Sequence, residues 1–551
     1  MKTSDSNWHS FVEEPLVAEN PDSVAWDEAA DVVVVGFGGA GATAAIEARQ
    51  QGASVKVLER FQGGGATMLS GGVIYAGGGT RQQKEAGLED DPENMFRYLQ
   101  TETEGCVSDE LLREFCETSV ENMEWLEDLG LEFPGNQAPE KTSYPMNPYF
   151  LYYSGNEGVP DRMAVARPVP RGHRHKSGGQ AGTEFYLSLE AAALKAGVNV
   201  LTQTKVTRLV TDVDGRVIGV EAQRMDPATG AAKRHALIMK VLRRLHATAT
   251  APMAALSGYL MKLEAQASSK YRVRATKGVV LASGGFMCNS GMTQHYLPKY
   301  GGVMRNGTPG CDGSGIRLGQ SVGGATRMMD RASAWRFINP PKAFAQGAIV
   351  NAKGERYCNE GAYGAQVGYH MCEHHDGVSW IILDSKLMSD AKRQVLPWKV
   401  LLFQTVLSYL TILFSTKKGA TLEELAKNTG FDPATFKKSI ETYNNAARGE
   451  TPDPNGKGEE FLAELSKPPF YALNISKDSS TFPLAVLTFG GLTVDEQTRQ
   501  VQREDGSLVT GLYAIGRVAA SLPSNHYVSG FAIADCVFTG RKAGRAIAIA
   551  A

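Results

Sequence analysis

The residues of this chain best suited to chemistry are those that could hold a nucleotide. Gly36-Phe-Gly-Gly-Ala-Gly41 is a GxGxxG turn with one extra glycine, and Glu59 closes the next apolar run. Each glycine has a use at this spacing. Gly36 permits the tight turn, Gly38 lets backbone approach a pyrophosphate, and Gly41 lets helix and strand close on each other. Gly39 and Ala40 sit at the helix start, where unpaired N–H groups favour phosphate. Glu59 is placed for ribose hydroxyls, and its charge disfavours a 2′-phosphate. The expected chemistry is dinucleotide binding, and these residues alone suit NAD as well as FAD.

Such residues need a strand–helix–strand frame, and the flanking sequence supplies it. Asp31-Val-Val-Val-Val35 is a continuous apolar run of the kind that fills a buried parallel strand. Ala42 to Gln51 has the small side chains of a helix packed tightly on a sheet, and Gly52 to Leu58 reads as the second strand. The whole chain has 551 residues, 42% hydrophobic and 21% charged, enough for two or three domains. A net charge of −2 gives no reason to expect nucleic acid as a partner. The seven cysteines form no CxxC pair and no zinc-like cluster, so no metal is expected and reduced thiols are. Met1 to Trp8 lacks an apolar signal segment, so a cytoplasmic location is expected.

Along the chain, residues 1–27 read as a polar surface arm. Residues 28–289 and 471–551 read as one nucleotide-binding domain, interrupted by a capping domain at 290–470. Within the first, Val206 to Val220 reads as a hairpin turning at Asp212-Val-Asp-Gly215. Residues 236–265 form a basic, apolar helical stretch containing Lys240, Arg243, Arg244, His246 and Lys262. Residues 138–182 read as irregular structure. A second apolar stretch, 395–418, ends at Lys417-Lys418. A spanning helix there would place the halves of one domain on opposite sides of a membrane. A buried cap helix, or an interfacial helix with 236–265 as companion, is the expectation instead.

Glycines return at three later places: Gly63 to Gly79, Ala282-Ser-Gly-Gly-Phe286, and Gly511-Leu-Tyr-Ala-Ile-Gly-Arg517. In the first, Thr67 and Ser70 offer hydroxyls, and Gly71 and Gly72 leave room for a flat ring. A dehydrogenase binding only NAD does not need these returns, whereas FAD embedded along its length does. FAD is therefore the expected cofactor.

These segments, with Ser529-Gly-Phe-Ala-Ile-Ala-Asp535, resemble the fumarate reductase/succinate dehydrogenase flavoprotein superfamily. Ser524-Asn-His-Tyr-Val-Ser-Gly530 and Gly354 to Gly364 are similar to the bacterial 3-ketosteroid dehydrogenases, nearest the Δ4-(5α) type. The fold implied is an α/β Rossmann-like FAD-binding domain plus an inserted α+β substrate-capping domain. The cofactor contacts implied are Gly36, Gly38, Gly39, Ala40, Gly41, Glu59, Arg60, Thr67, Ser70, Gly71, Gly72, Val206, Ala282, Gly284, Gly516, Arg517, Ser529, Ala532 and Ile533. The resemblance also implies a catalytic base at Tyr527, helped by Ser529, with Tyr363 from the cap polarising a carbonyl or relaying protons.

Desaturation next to a ketone needs a hydride acceptor, a base for the acidic α-proton and a donor to the carbonyl. The expected partners are a steroid-like hydrophobic small molecule, an electron acceptor and, through 236–265 and 395–418, a membrane surface. Arg171-Gly-His-Arg-His-Lys-Ser-Gly-Gly179 superficially resembles the carboxylate-gripping equipment of fumarate reductases, but His173, Arg174 and His175 are read here as a solvated loop beside the flavin. Gly490-Gly-Leu-Thr-Val494 lacks the glycine-proline pair of the Δ1 branch. The alternatives are a Δ1-dehydrogenase, an enone or ene-acid reductase, and a non-catalytic flavin-binding electron-transfer subunit.

Overall fold

A computed structural model describes residue 10, residues 12–245 and residues 250–550. Its largest element is a nine-stranded sheet. Read across, its main path is Leu16–Ala18, Thr204–Asp212, Val217–Met225, Ser268–Leu281, Glu28–Val35, Val55–Leu58 and Asn199–Leu201. Leu508–Ala514 lies parallel to the end of Ser268–Leu281, and Gln500–Gln502 pairs with it. The unbroken valine run follows from burial on both faces. Val32 and Val34 face one core, with Ala44, Ile46 and Phe538, while Val33 and Val35 face another, with Phe286, Ile316 and Leu318.

Helices Gly39–Gln50 and Phe531–Ile549 pack together on the first face. Small residues let them approach closely. A methyl added at Gly540 would stand 2.9 Å from Thr43 Cβ, and one at Gly544 would stand 2.8 Å from the Ala44 carbonyl oxygen. Arg541 and Arg545 pair with the buried Glu47 across the same seam, at 3.0 and 2.7 Å.

The hairpin expected at 206–220 is the pair Thr204–Asp212 and Val217–Met225. The N-terminal arm differs from expectation in part. Leu16–Ala18 is an edge strand of the large sheet, and Val12 and Ala18 are buried. The stretch expected to be helical over 236–265 is two helices, Gly230–Leu245 and Thr250–Ala267. His246 lies outside the described residues, as do the side chains of Arg243 and Arg244. Met239, Leu242 and Leu260 pack on Phe61, and the His235 ring stacks on the same phenyl group at 5.8 Å. This hairpin is thereby fastened to the end of the second nucleotide strand.

Residues 286–334 send apolar side chains into the core beneath the large sheet. A separate core gathers from residues 337 to 482, around a four-stranded sheet in the order Ala348–Val350, Trp380–Leu383, Phe470–Asn474 and Thr416–Gly419. Helix Leu402–Phe414 borders this unit. Among the described residues no helix is long and apolar enough to cross a membrane.

Candidate active site

Between these layers runs a cavity of about 820 Å³, from the end of the second nucleotide strand to helix Leu402–Phe414. At its nucleotide end the wall includes Gly36, Gly38, Gly39 and Ala40. Glu59 is buried there. Its Oε2 accepts from the Phe37 N–H at 2.7 Å and its Oε1 from the Phe61 N–H at 2.8 Å. One donor to each oxygen fixes the carboxylate and leaves lone pairs for ligand hydroxyls. Thr67 Oγ1 accepts from the Gly39 N–H at 3.1 Å, and Ser70 Oγ donates to the Thr67 carbonyl at 2.7 Å. Gly71, Val206, Ala282, Gly284, Arg517, Ala532 and Ile533 continue the wall.

Three expected contacts lie off the cavity wall. A methyl at Gly41 would run into the Gly36 carbonyl, so this glycine closes helix on strand. Gly72 packs on Ala181, and Gly516 on Ala40 and Cys536. Arg60 lines the cavity, yet its guanidinium is already paired with Glu264 at 2.9 Å and Asp312 at 2.8 Å. Burial works against its charge, but those two carboxylates outweigh burial and hold its pKa above the usual arginine value.

The cavity fits FAD on two observations. Glycine backbone lines the end reached by the first helix, and Arg517 Nη1 is buried at the wall without a protein acceptor. An unpaired buried guanidinium N–H is costly unless a ligand atom accepts from it.

Further along, Tyr527, Ser529 and Tyr363 line the same cavity. Residues 527–530 lead into helix Phe531–Ile549, whose N-cap is Gly530. Gly530 has φ +89°, and a side chain there would meet the Tyr75 N–H, so the turn requires glycine. Ser529 N–H donates to the Ser154 carbonyl at 2.9 Å, and the Tyr363 N–H donates to Asn156 Oδ1 at 2.6 Å. One short segment thus braces residues from both units. Tyr152 Oη donates to Ser529 Oγ at 3.4 Å, and Phe489 stacks on Tyr527 with ring centres 5.3 Å apart.

Electrostatics separates these hydroxyls. Burial pushes the Tyr527 phenol up to about 12, while backbone N–H groups of Ala532 and Gly530 at the helix start pull the other way. Tyr363 is raised as well, by burial first and then by its neighbours Tyr527 and Tyr152, against the lowering effect of the Ser529 hydroxyl. The arrangement can hold a proton beside an apolar ring system. Trp335, Phe337, Leu407, Pro483 and Leu487 form much of the remaining wall.

Tyr152, Ser154, Asn156 and the lining residues of helix Leu402–Phe414 escaped sequence reasoning. The apolar run at 395–418 was visible, but nothing local showed that it walls a cavity. The reading of His173, Arg174 and His175, next to Arg171, as a solvated loop is overturned. Gly172–Arg174 is the middle strand of a three-stranded sheet, and all four polar side chains are buried. Arg171 is paired with Asp90 at 2.8 Å, His173 Nε2 meets Thr80 Oγ1 at 3.0 Å, and Arg174 donates to the Pro145 carbonyl at 2.8 Å. His175 Nδ1 lies 3.0 Å from the Glu132 carbonyl oxygen. Burial pushes His173 down to about 4, which keeps it neutral. Each group has a structural partner, and none of the four lines the large cavity.

The fold and the cavity define a flavoprotein: the chain belongs to the FAD binding domain family, which matches residues 31–527. Among named relatives, it is 39% identical over 521 residues to the 3-oxo-5-alpha-steroid 4-dehydrogenase of Comamonas testosteroni, covering 92% of this chain and 96% of that protein. The 3-ketosteroid-Δ4-(5α)-dehydrogenase of Rhodococcus jostii RHA1, solved with 4-androstene-3,17-dione, superposes with a TM-score of 0.82 and is 29% identical. That match covers 97% of this chain and 100% of that one. The 3-ketosteroid Δ1-dehydrogenase of Sterolibacterium denitrificans shares the fold, with a TM-score of 0.63 at 20% identity, over 95% and 99% of the two chains.

Proposed function

We propose that this protein is a 3-oxosteroid Δ4-dehydrogenase that uses FAD to desaturate C4–C5 of 3-keto-5α-steroids. One observation carries the reading. Tyr527, Ser529 and Tyr363 meet in a cavity whose other end is the Gly36–Glu59 nucleotide device. The Comamonas and Rhodococcus relatives support the choice of substrate.

In this reading, Tyr527 takes the acidic proton from C4, next to the ketone. Bound FAD supplies the two-electron acceptor for the hydrogen leaving C5. Gly36, Gly38, Gly39, Glu59, Ala282 and Arg517 would hold it. The backbone N–H groups of Gly530 and Ala532 stabilise the Tyr527 phenolate, and Ser529 and Tyr363 flank it as hydroxyl donors. The apolar wall excludes water from the ring system and strengthens each polar contact inside. Reduction of the enone would use the same residues in reverse. A fumarate-type reductase would need cations around two carboxylates. The cations on this wall are Arg60, already paired with Glu264 and Asp312, Lys205, and Arg517, whose charge is felt at Tyr527 and helps lower its pKa. Turnover also requires a separate electron acceptor. Contact with a membrane surface, expected for 236–265 and 395–418, belongs to the same proposal as a means of delivering an apolar substrate.

The test is anaerobic mixing of the yellow holoprotein with 5α-androstane-3,17-dione and, separately, with 4-androstene-3,17-dione. Bleaching by the first alone is expected. Bleaching by the second alone would indicate Δ1 chemistry, and bleaching by neither would end the steroid reading. Tyr527→Phe should keep its FAD and lose about 100-fold or more in rate. A fully active variant would remove Tyr527 from the role of base.

A further inference from the structure

Helix Leu402–Phe414 is built inside out. Its inward face carries Gln404, Thr405, Ser408 and Thr411, all buried. Gln404 donates to the Tyr144 carbonyl at 3.4 Å and Thr411 to its own Leu407 carbonyl at 3.0 Å. The outward stripe is Leu402, Val406, Leu410, Leu413 and Phe414, at the spacing of one helix face. Leu402, Leu413 and Phe414 are 69%, 67% and 73% exposed, and Trp398 just upstream is 71% exposed. A helix on a water-facing surface buries its apolar stripe and shows its polar one. This helix buries four polar side chains beside Ile412 and shows an apolar stripe outside, so its sequence suits an apolar medium there.

Two further observations identify that medium. No acidic residue occurs from 395 to 418, while Lys399, Lys417 and Lys418 are exposed around the apolar stripe, with Lys392 just before it; Arg393 is paired with Asp390. Cations bordering an apolar face complement anionic lipid headgroups. The helix has 13 residues and a length of roughly 20 Å, well short of the roughly 30 Å hydrocarbon core. It can lie in the interface but cannot span. Leu402, Phe403, Val406 and Leu407 of the same helix also line the large cavity. Leu402 and Val406 belong to the outward stripe as well, so the helix forms the rim where the chamber meets whatever covers the outward face. The hairpin 230–267 shows scattered exposed apolar residues such as Leu237, but it is fastened at the nucleotide end and does not wall the chamber's far end.

We propose that the outward face of helix Leu402–Phe414 docks on an anionic lipid bilayer and that apolar substrate loads from the lipid past this helix into the chamber. The lipid contact stands on the helix alone, and only the identity of the cargo rests on the steroid reading.

The test uses the full-length FAD-loaded protein and flotation with phosphatidylcholine vesicles, with and without phosphatidylglycerol. The parent should float with the anionic vesicles, with binding that falls as salt is raised, and Trp398 should contribute a blue shift in emission. A Leu410→Glu/Leu413→Glu/Phe414→Glu variant changes outward residues that do not line the cavity. It should lose about tenfold or more in vesicle binding and keep its turnover of substrate added in water, but load slowly from vesicles carrying the steroid. A milder Lys399→Glu/Lys418→Glu variant should weaken binding to anionic vesicles only, which guards against misfolding of the first. Parent protein that stays unbound, or a triple variant that floats equally well, overturns the proposal. So does concentration-dependent self-association abolished by the same substitutions without vesicle binding, which would assign the face to a second copy. Vesicle binding without any steroid turnover leaves the lipid contact standing and removes the steroid reading.

Discussion

The Tyr527 hydroxyl shows two opposed effects whose balance can be measured. Burial raises its pKa to about 12, while the Gly530 and Ala532 N–H groups keep it from rising further. As a base it must be deprotonated, so the competent fraction grows up to about tenfold per pH unit below that value. Substrate-driven flavin bleaching, followed by stopped flow between pH 6 and 9, should therefore accelerate steadily as pH rises. A flat profile would mean that another group takes the proton. Ser529→Ala should slow the reaction less than Tyr527→Phe, because the hydroxyl assists the base without replacing it. Little of this pairing was readable before the fold was known. Tyr363, Tyr527 and Ser529 stood out only through the family resemblance, since their meeting in space depends on chain returns of more than 150 residues.

At the scale of elements, the strand–turn–helix–strand unit from Asp31 to Glu59 was readable because its contacts are local. The valine run, the glycine turn and the closing acid all act within 30 residues of one another. The segment around Arg174 was misread for the opposite reason. His173 finds Thr80 93 residues away, and no local pattern distinguishes a partnered buried histidine from a solvated one. The hairpin 230–267 depends on a similar distant clasp, Arg60 to Glu264, reinforced by Asp312 and His235. Burial would raise the Glu264 pKa, but Arg60 and the His235 hydrogen bond hold it at about 2. Its unfolded value lies near 4.3, so the stability it contributes is fully present above that pH and lost as pH falls toward 2. Glu264→Gln should cost about 2 kcal/mol near neutrality, less than a fully orphaned buried pair because Asp312 still meets Arg60. Thermal melts of parent and variant should converge as pH is lowered through this window. A gap that persists unchanged in acid would show that the pair contributes packing and not charge.

Over the whole molecule, the large cavity lies between the layers and is walled by residues from both of them. A ligand held there stabilises the fold by mass action, about 2.7 kcal/mol when present at 100 times its dissociation constant. Removing FAD should lower the melting temperature by several degrees, and adding it back should restore the original value. An unchanged melt would mean that the cavity walls support themselves.

The close seam between helices Gly39–Gln50 and Phe531–Ile549 carries a consequence for how such an enzyme can be retooled. One helix begins at the phosphate-binding turn and the other at Gly530, three residues after Tyr527, and Gly540 and Gly544 lock them backbone to backbone. In the proposed mechanism, cofactor and base are thereby indexed to a single rigid gauge. The apolar wall opposite, from Trp335 to Leu487, hangs on other elements. Residues there can be exchanged to admit a differently shaped ring system while the gauge that aligns the reaction stays fixed, so a search for new specificities belongs in the cap and not along the seam.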